Sequence, residues 1–327
     1  MIDTHLIVFD GIAGSGKTTT AQWLYLALSG AGRESEWITE AQRDHPIFGP
    51  EVEVERARTT EEVVERTLDA WRRFVGDAAV APLVSVMDGG IFDSPISFLL
   101  LRDTPPARIG SVVSEIVKAA TALRPVFFYF YQDDTDEALE QISRRRGEDW
   151  RAHLIAYVSA SPFARSRNLS GMDAPRAYYR EHRRIADAAF AHLDIGKAAI
   201  STSGGRWDAY RARVIESLDL SSDLRPDAAA MDLSRFAGEY RDAEHDRTWR
   251  IVSDENSLYL AGDERMRLLH IDGTRFFIEG KPVELRFEGS DRAPAERIQY
   301  LSKARDGLKS ELTWIRVTGT ENPRRPV

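Results

Sequence analysis

The chain has 327 residues, long for one domain and comfortable for two, and its 43% hydrophobic and 29% charged content fits a globular protein with a substantial core. A net charge of −8 argues against a nucleic-acid polymer as partner, since such binding is driven by dense positive charge, and the lack of cysteine excludes disulfides, thiolate nucleophiles and cysteine-ligated metals. No apolar run approaches the ~18 residues of a membrane helix, and the first residues lack the basic, apolar, small order of a signal peptide, so a cytoplasmic protein with no membrane partner is expected.

Residues 1–220 alternate short apolar runs with amphipathic stretches. The run from Leu6 to Phe9 reads as a strand covered on both faces. Ala21, Leu24 and Leu28 lie at helical spacing after it, and residues 36–39 form a second, weaker strand. Thr59 with Glu62 is a capping-box pair, opening a helix whose apolar face is Val64, Leu68, Trp71 and Val75. Residues 80–87 predict a third strand ending at Asp88, and Ser94-Pro95 predicts a helix start in cap-then-proline order. A further helix carries Ile109, Val112, Val113, Ile116, Ala120 and Leu123. "VFFYFY" (126–131) and "AAIST" (198–202) are the fourth and fifth strands. Strands separated by helices predict an α/β fold with a doubly wound parallel sheet.

The pattern changes after Leu220. Residues 223–230 read as a linker, and eight short alternating runs separated by turn signals occupy residues 231–320, ahead of a loose tail over 321–327. Eight strands at this spacing predict an antiparallel sandwich or barrel, built as one meander. Trp249, Tyr259, Phe276, Phe277 and Trp314 are its core and face residues, and no chemical motif occurs there. The domains are thus placed at 1–222 and 231–320.

Between the first strand and the first helix, Gly11-Ile12-Ala13-Gly14-Ser15-Gly16-Lys17-Thr18 satisfies G-x-x-x-x-G-K-[ST] in full. Glycines let successive N–H groups turn into one anion-binding concavity, and the helix N-terminus adds partial positive charge. Gly11, Ala13, Gly14, Ser15, Gly16, Lys17, Thr18 and Thr19 are the candidate ATP-binding residues. Lys17 is expected to reach the β- and γ-phosphates and Thr18 to ligate Mg²⁺. Asp88, at a strand end, is the candidate second metal ligand or acceptor-side carboxylate, the alternative being a cap of the "DGG" turn. Asp10 competes for the outer shell of the metal. Arg144, Arg145 and Arg146 end the helix after the fourth strand, and Arg144 and Arg146 are candidates to neutralise a transferring phosphoryl group. A solvated helix end is the alternative reading of that cluster.

Four stretches make residues 5–220 resemble the thymidylate kinase-like branch of P-loop kinases: "LIVFDGIAGSGKTTTAQWL", "VMDGGIFDSPISFLL", "RPVFFYFYQDDTDEALEQISRRRGEDW" and "YYREHRRIADAAF". The resemblance implies a five-stranded parallel sheet, a lid closing over ATP, and Mg²⁺-dependent phosphoryl transfer. It also exposes departures. Ala13 stands where the family commonly has an aspartate, and Gly89 and Gly90 stand where it has an arginine and a tyrosine. Losing a phosphate-gripping arginine removes a charge-assisted bond worth ~1.5–3 kcal/mol. The two glycines are expected to leave room beside the acceptor, which makes an uncharged or bulkier hydroxyl compound a better acceptor than a nucleoside monophosphate. Glu40, after the second strand, is the candidate base beside Asp88, where related nucleoside kinases carry a carboxylate. Asp44 and His45 share its loop, with His45-Pro46 read as a turn, and Arg102 is read as a surface residue, the alternative being that it faces the acceptor pocket.

Residues 231–320 resemble small lipocalin-like β domains appended to bacterial enzymes, on the opening "LSRFAGEYR". Covering the acceptor, binding an apolar moiety, or homodimerisation are the uses such a domain implies. The leading expectation is a small-molecule kinase. A nucleoside monophosphate kinase with a rearranged acceptor site, and an ATP-binding regulatory protein without transfer, are the alternatives.

Overall fold

The computed structural model describes residues 3–48, 59–221, 232–242, 246–254, 257–262, 265–289, 293–303 and 311–317. The linker expected over 223–230 and the tail over 321–327 lie outside the described residues. The chain divides into two compact units, Met1–Leu224 and Arg225–Val327.

The first unit is an α/β domain with a five-stranded, all-parallel sheet in the order β2-β3-β1-β4-β5. Its strands are β1 (Leu6–Gly11), β2 (Ser35–Thr39), β3 (Val84–Asp88), β4 (Val126–Tyr131) and β5 (Gly196–Ser201). The helices are α1 (Lys17–Gly30), α2 (Thr60–Val80), α3 (Asp93–Leu101), α4 (Pro106–Ala120), α5 (Thr135–Arg146), α6 (Glu148–Ser159), α7 (Pro162–Ser166), α8 (Asp173–His192) and α9 (Trp207–Ser217). Alternation along the buried strands divides the core. Leu6, Val8, Met87, Phe127 and Tyr129 pack with residues of α2, α3, α4, α5 and α8. Ile7, Phe9, Val86, Phe128 and Phe130 pack with residues of α1 and α9. A continuous apolar run serves both faces, which is why these strands show no alternation of their own.

Two sequence expectations shift. Residues 80–83 are not strand: Val80 closes α2 and is 85% exposed, and β3 begins at Val84. The helix formers Ala78 and Ala79 carry the helix to that point, and Pro82 forces extended backbone at Ala81 before it. The helix at "DSP" likewise starts at Asp93, with Phe92 in the cap position and no side-chain cap from its own segment. The cap comes from β1 instead, because Asp10 accepts the N–H groups of Ile91, Phe92 and Asp93 at 2.7–2.9 Å. The capping box of Thr59 and Glu62 forms as read.

The second unit is a closed antiparallel barrel of β6 (Gly238–Asp242), β7 (Arg247–Ser253), β8 (Leu258–Ala261), β9 (Met266–Asp272), β10 (Arg275–Ile278), β11 (Val283–Glu288), β12 (Arg297–Ser302) and β13 (Glu311–Arg316). Each strand pairs with its chain neighbours, and β13 pairs with β6 to close the ring. Closure removes sheet edges, and the inward positions are filled by side chains. Phe236, Tyr240, Phe276, Phe287 and Trp314 are fully buried, and Trp249 stacks on Trp314 at 4.0 Å. The Arg316 guanidinium donates to the carbonyls of Ala237 (2.7 Å), Arg235 (2.9 Å) and Ala295 and to the Tyr240 hydroxyl (2.7 Å), drawing β13, β6 and the segments before β6 and β12 together.

Candidate functional site

The site is built where strands of the parallel sheet end, the usual place for a ligand crevice in an open α/β sheet. Register decides who meets whom. Thr39 and Phe9 both pair with Asp88, so the ends of β2, β3 and β1 converge on one carboxylate. The chain after β1 turns through Gly11, Gly14 and Gly16, all with positive φ. A Cβ on Gly11 would overlap the Phe130 carbonyl oxygen, and one on Gly16 the Trp207 ring. Glycine is required at both for reasons of space as well as conformation. Ala13 and Gly14 are half-buried, and Gly14 lies against Ile142, so α5 packs on the loop. Gly16 is the N-cap of α1 and supplies no side-chain cap, and the buried Ser15 hydroxyl makes no hydrogen bond among the described residues. A glycine cradle ending in an uncapped helix N-terminus, with an unpartnered hydroxyl inside it, fits a phosphate chain.

Lys17 is buried, and its Nζ lies 2.8 Å from Asp93 Oδ2 and 3.4 Å from Glu40 Oε2. Asp88, fully buried, accepts the Glu40 N–H at 2.6 Å and the Thr39 hydroxyl at 3.3 Å, and Thr18 also hydrogen-bonds to it. Lys17, Thr18, Glu40 and Asp88, singled out separately along the chain, therefore meet. Thr19 is half-buried beside them at the start of α1. Burial pushes the Asp88 carboxyl up, offset by its hydrogen bonds and by Lys17. Burial also pushes Glu40 up to about 8, against the pull of Lys17 and with help from Asp93 and Asp88. Its side chain keeps 37% of its surface, so solvent screens part of that penalty. The ammonium of Lys17 stays protonated well above its usual range because the carboxylates outweigh its burial.

Arg146 and Arg144 part company. Arg146 lies over the Trp150 ring at 5.3 Å, and its charge reaches the buried Tyr179. Both are exposed, and the Arg144 Nε turns back to donate to the Glu140 carbonyl. The reading of Asp10 as an outer-shell metal group changes as well. Its two oxygens take four backbone N–H groups, those of Gly11, Ile91, Phe92 and Asp93, so it ties the phosphate loop to the start of α3. Gly89 is bounded by the Glu40 carboxylate, 3.1 Å from where a Cβ would stand. The expected room at Gly90 is not there: Met87 Sδ, 2.9 Å from a Cβ position, and Trp71 fill it. His45 is a turn residue, its Nδ1 accepting the N–H groups of Ile47 and Phe48.

Three participants were not singled out from the sequence as site residues. Asp93 is the nearer carboxylate to Lys17; its cue was an acid at a helix start, hidden by the Ser-Pro pair after it. His182 and Tyr179 come from α8, where their spacing reads only as an apolar face. His182 Nε2 lies 3.4 Å from the Asp93 carbonyl oxygen and 4.0 Å from its Oδ1, and burial pushes the imidazole below its usual range.

Fold and site together define an α/β protein of the P-loop type carrying a β-barrel unit. No family model and no curated protein matches the chain. Among solved structures, similar chains include a thymidylate kinase from Candida albicans, at 13% identity and TM-score 0.39, covering 68% of this chain and 97% of that one. Another is the YorR protein of Bacillus subtilis in complex with phosphorylated GDP, at 14% identity and TM-score 0.34, covering 65% and 95%. Both likenesses are too slight to speak for a shared activity. Among the described residues, no helix is long and apolar enough to cross a membrane.

Proposed function

We propose that the first unit is an ATP- and Mg²⁺-dependent phosphotransferase that moves the γ-phosphoryl group to a hydroxyl of a nucleoside-like or antibiotic-like small molecule. The observation that carries this reading is the buried Lys17 at the end of a glycine cradle, facing Glu40, Asp88 and Asp93. The N–H groups of Ala13, Gly14, Gly16, Lys17, Thr18 and Thr19 would cradle the phosphates, those of Gly11 and Ser15 being held by Asp10 and the Ile12 carbonyl, and Lys17 would balance their charge. Thr18 and Asp88, already hydrogen-bonded, would hold the metal, whose chemistry there is neutralisation of the phosphate oxygens. Arg146, carried on a helix packed against the loop, and Arg144 beside it would offset charge on the transferring group.

The acceptor side argues against an anionic acceptor. Where an arginine would grip a phosphate, Gly89 borders the Glu40 carboxylate. A nucleoside monophosphate would thus find no cation at this position, only a carboxyl whose ionisation burial already opposes. A neutral or cationic hydroxyl compound meets no such cost.

The test is incubation of the full chain with Mg·ATP and a panel of nucleosides, hydroxylated antibiotics and nucleoside monophosphates, with products read by mass spectrometry. A phosphomonoester formed in step with ADP supports the reading. Asp88→Asn serves as the control: its amide oxygen can still take the Glu40 N–H, and the Thr18 and Thr39 hydroxyls can turn to accept from its NH₂. That variant should fold and lose transfer. Tight ATP binding with no modified acceptor would favour a regulatory role instead.

A further inference from the structure

Phosphoryl transfer to a hydroxyl requires a group that receives the hydroxyl proton, and three carboxylates stand near Lys17. Asp88 is committed: it accepts from Glu40 N–H, Thr39 and Thr18. Glu40 is the more distant from the ammonium, at 3.4 Å, and is the most exposed of the cluster. Asp93 is closest, with Oδ2 at 2.8 Å from Lys17 Nζ.

Asp93 is also the best anchored. Its N–H is held by Asp10 at 2.9 Å, on the same carboxylate that takes the Gly11 N–H, so loop and acid share one fixed reference. His182, 2% exposed, closes the other side, with Nε2 3.4 Å from the Asp93 carbonyl and 4.0 Å from Oδ1. The remaining groups facing Asp93 are Glu40 after β2 and Tyr178 and Tyr179 on α8.

Building on the phosphotransferase reading, we propose that Asp93 is the catalytic residue that accepts the proton of the acceptor hydroxyl, and that His182 is the positioning residue that holds it there. Lys17 marks where the γ-phosphate oxygens lie, so a hydroxyl approaching the phosphorus passes beside Asp93. The acceptor oxygen bonds to phosphorus, and the bond from phosphorus to the β,γ-bridging oxygen breaks. That electron pair leaves with ADP, and the hydroxyl proton passes to the Asp93 carboxylate, which returns it to solvent on product release. Burial pushes the Asp93 carboxyl up, but Lys17, His182 and Glu40 outweigh it and hold the acid below its usual range, ionised at neutral pH.

The experiment uses the full chain, with Mg·ATP and either water alone or thymidine as the hydroxyl probe, and measures ADP formation beside the Kd of a fluorescent ATP analogue. Asp93→Asn should lower turnover by about 10²–10⁴-fold, the range for loss of a general base, while Kd stays within ~3-fold. Asp93→Glu should recover part of the rate, and it supplies the same comparison if the Asn variant does not fold. His182→Ala should lower kcat with KM little changed and move the acid limb of the pH–kcat profile upward, and His182→Gln, which keeps a donor, should restore the limb. Turnover by Asp93→Asn close to wild type, or a rate loss matched by an equal loss of ATP affinity, overturns the catalytic assignment. An unmoved acid limb in His182→Ala overturns the positioning role. Wild type that binds the analogue yet forms no ADP with water, thymidine or any compound of the acceptor panel fails the phosphotransferase reading itself, and the proposal falls with it.

Discussion

Replacing Lys17 by methionine should destabilise the α/β unit as well as silence it. The structure makes the ammonium the countercharge of a buried acidic cluster, with Lys17 5% and Asp93 21% exposed at 2.8 Å. Removing one partner of a buried pair costs ~3–5 kcal/mol; the partial exposure of Asp93 puts this case near the lower end, about 3 kcal/mol. For a unit of this size each kcal/mol moves Tm by roughly 2–4 °C, so calorimetry should show its transition fall by about 6–12 °C. The cost should depend on pH. Without Lys17, burial dominates and the Asp93 pKa rises above its unfolded value. Such a group gives stability that is present at low pH and lost as pH rises through the folded pKa. In the wild type the Asp93 pKa is lowered, so its contribution is present above the unfolded pKa and lost only as pH falls through the folded one. The gap between wild type and Lys17→Met should therefore be widest at pH 8 and narrow toward pH 5, and adding Asp93→Asn should recover much of it. A gap that is flat with pH, or below ~1 kcal/mol, would refute the countercharge role.

Gly16→Ala should abolish analogue binding and alter tryptophan emission, since its methyl group would overlap the Trp207 ring at a residue with φ +90°; titration of fluorescence with Mg·ATP checks both. Asp10→Asn should cost about 1–3 kcal/mol by replacing an acceptor of buried N–H groups with a donor, and should slow turnover by displacing Asp93; urea unfolding and ADP release measure the two effects. Because burial raises Asp10 to about 6, its contribution in the wild type is present below the unfolded pKa and lost as pH rises through that value. Asp10→Asn should flatten the wild-type stability profile between pH 4 and 7. In the barrel, Arg316→Met should remove the charged donor shared by the Ala237, Arg235 and Ala295 carbonyls and the Tyr240 hydroxyl, lowering the barrel transition by about 1–3 kcal/mol while leaving ADP formation unchanged.

The sheet was readable because its strands are local: the run "VFFYFY" is β4 residue for residue, and the eight runs of the second unit are its eight strands. The phosphate loop was readable because its geometry demands glycine at fixed offsets. What escaped depended on contacts across distance. Val80 was assigned to a strand because an apolar residue before β3 carries no sign that it is the exposed last residue of α2. The start of α3 was displaced because its cap, Asp10, lies 83 residues before Asp93. Asp93 and His182 meet only through the packing of α3 on α8, and no spacing in the sequence joins them. Gly90 looked like open space because a missing side chain says nothing of the neighbours, Met87 and Trp71, that fill its place.

The central claim is that γ-phosphoryl is moved from ATP to a neutral hydroxyl, and a ³¹P NMR time course of the full chain with Mg·ATP and the acceptor panel tests it most directly. The ATP γ resonance should be lost as ADP and a phosphomonoester signal appear, and neither change should occur with Asp88→Asn. A new diphosphate signal formed from a nucleoside monophosphate, or an ATP spectrum that never changes, would contradict it.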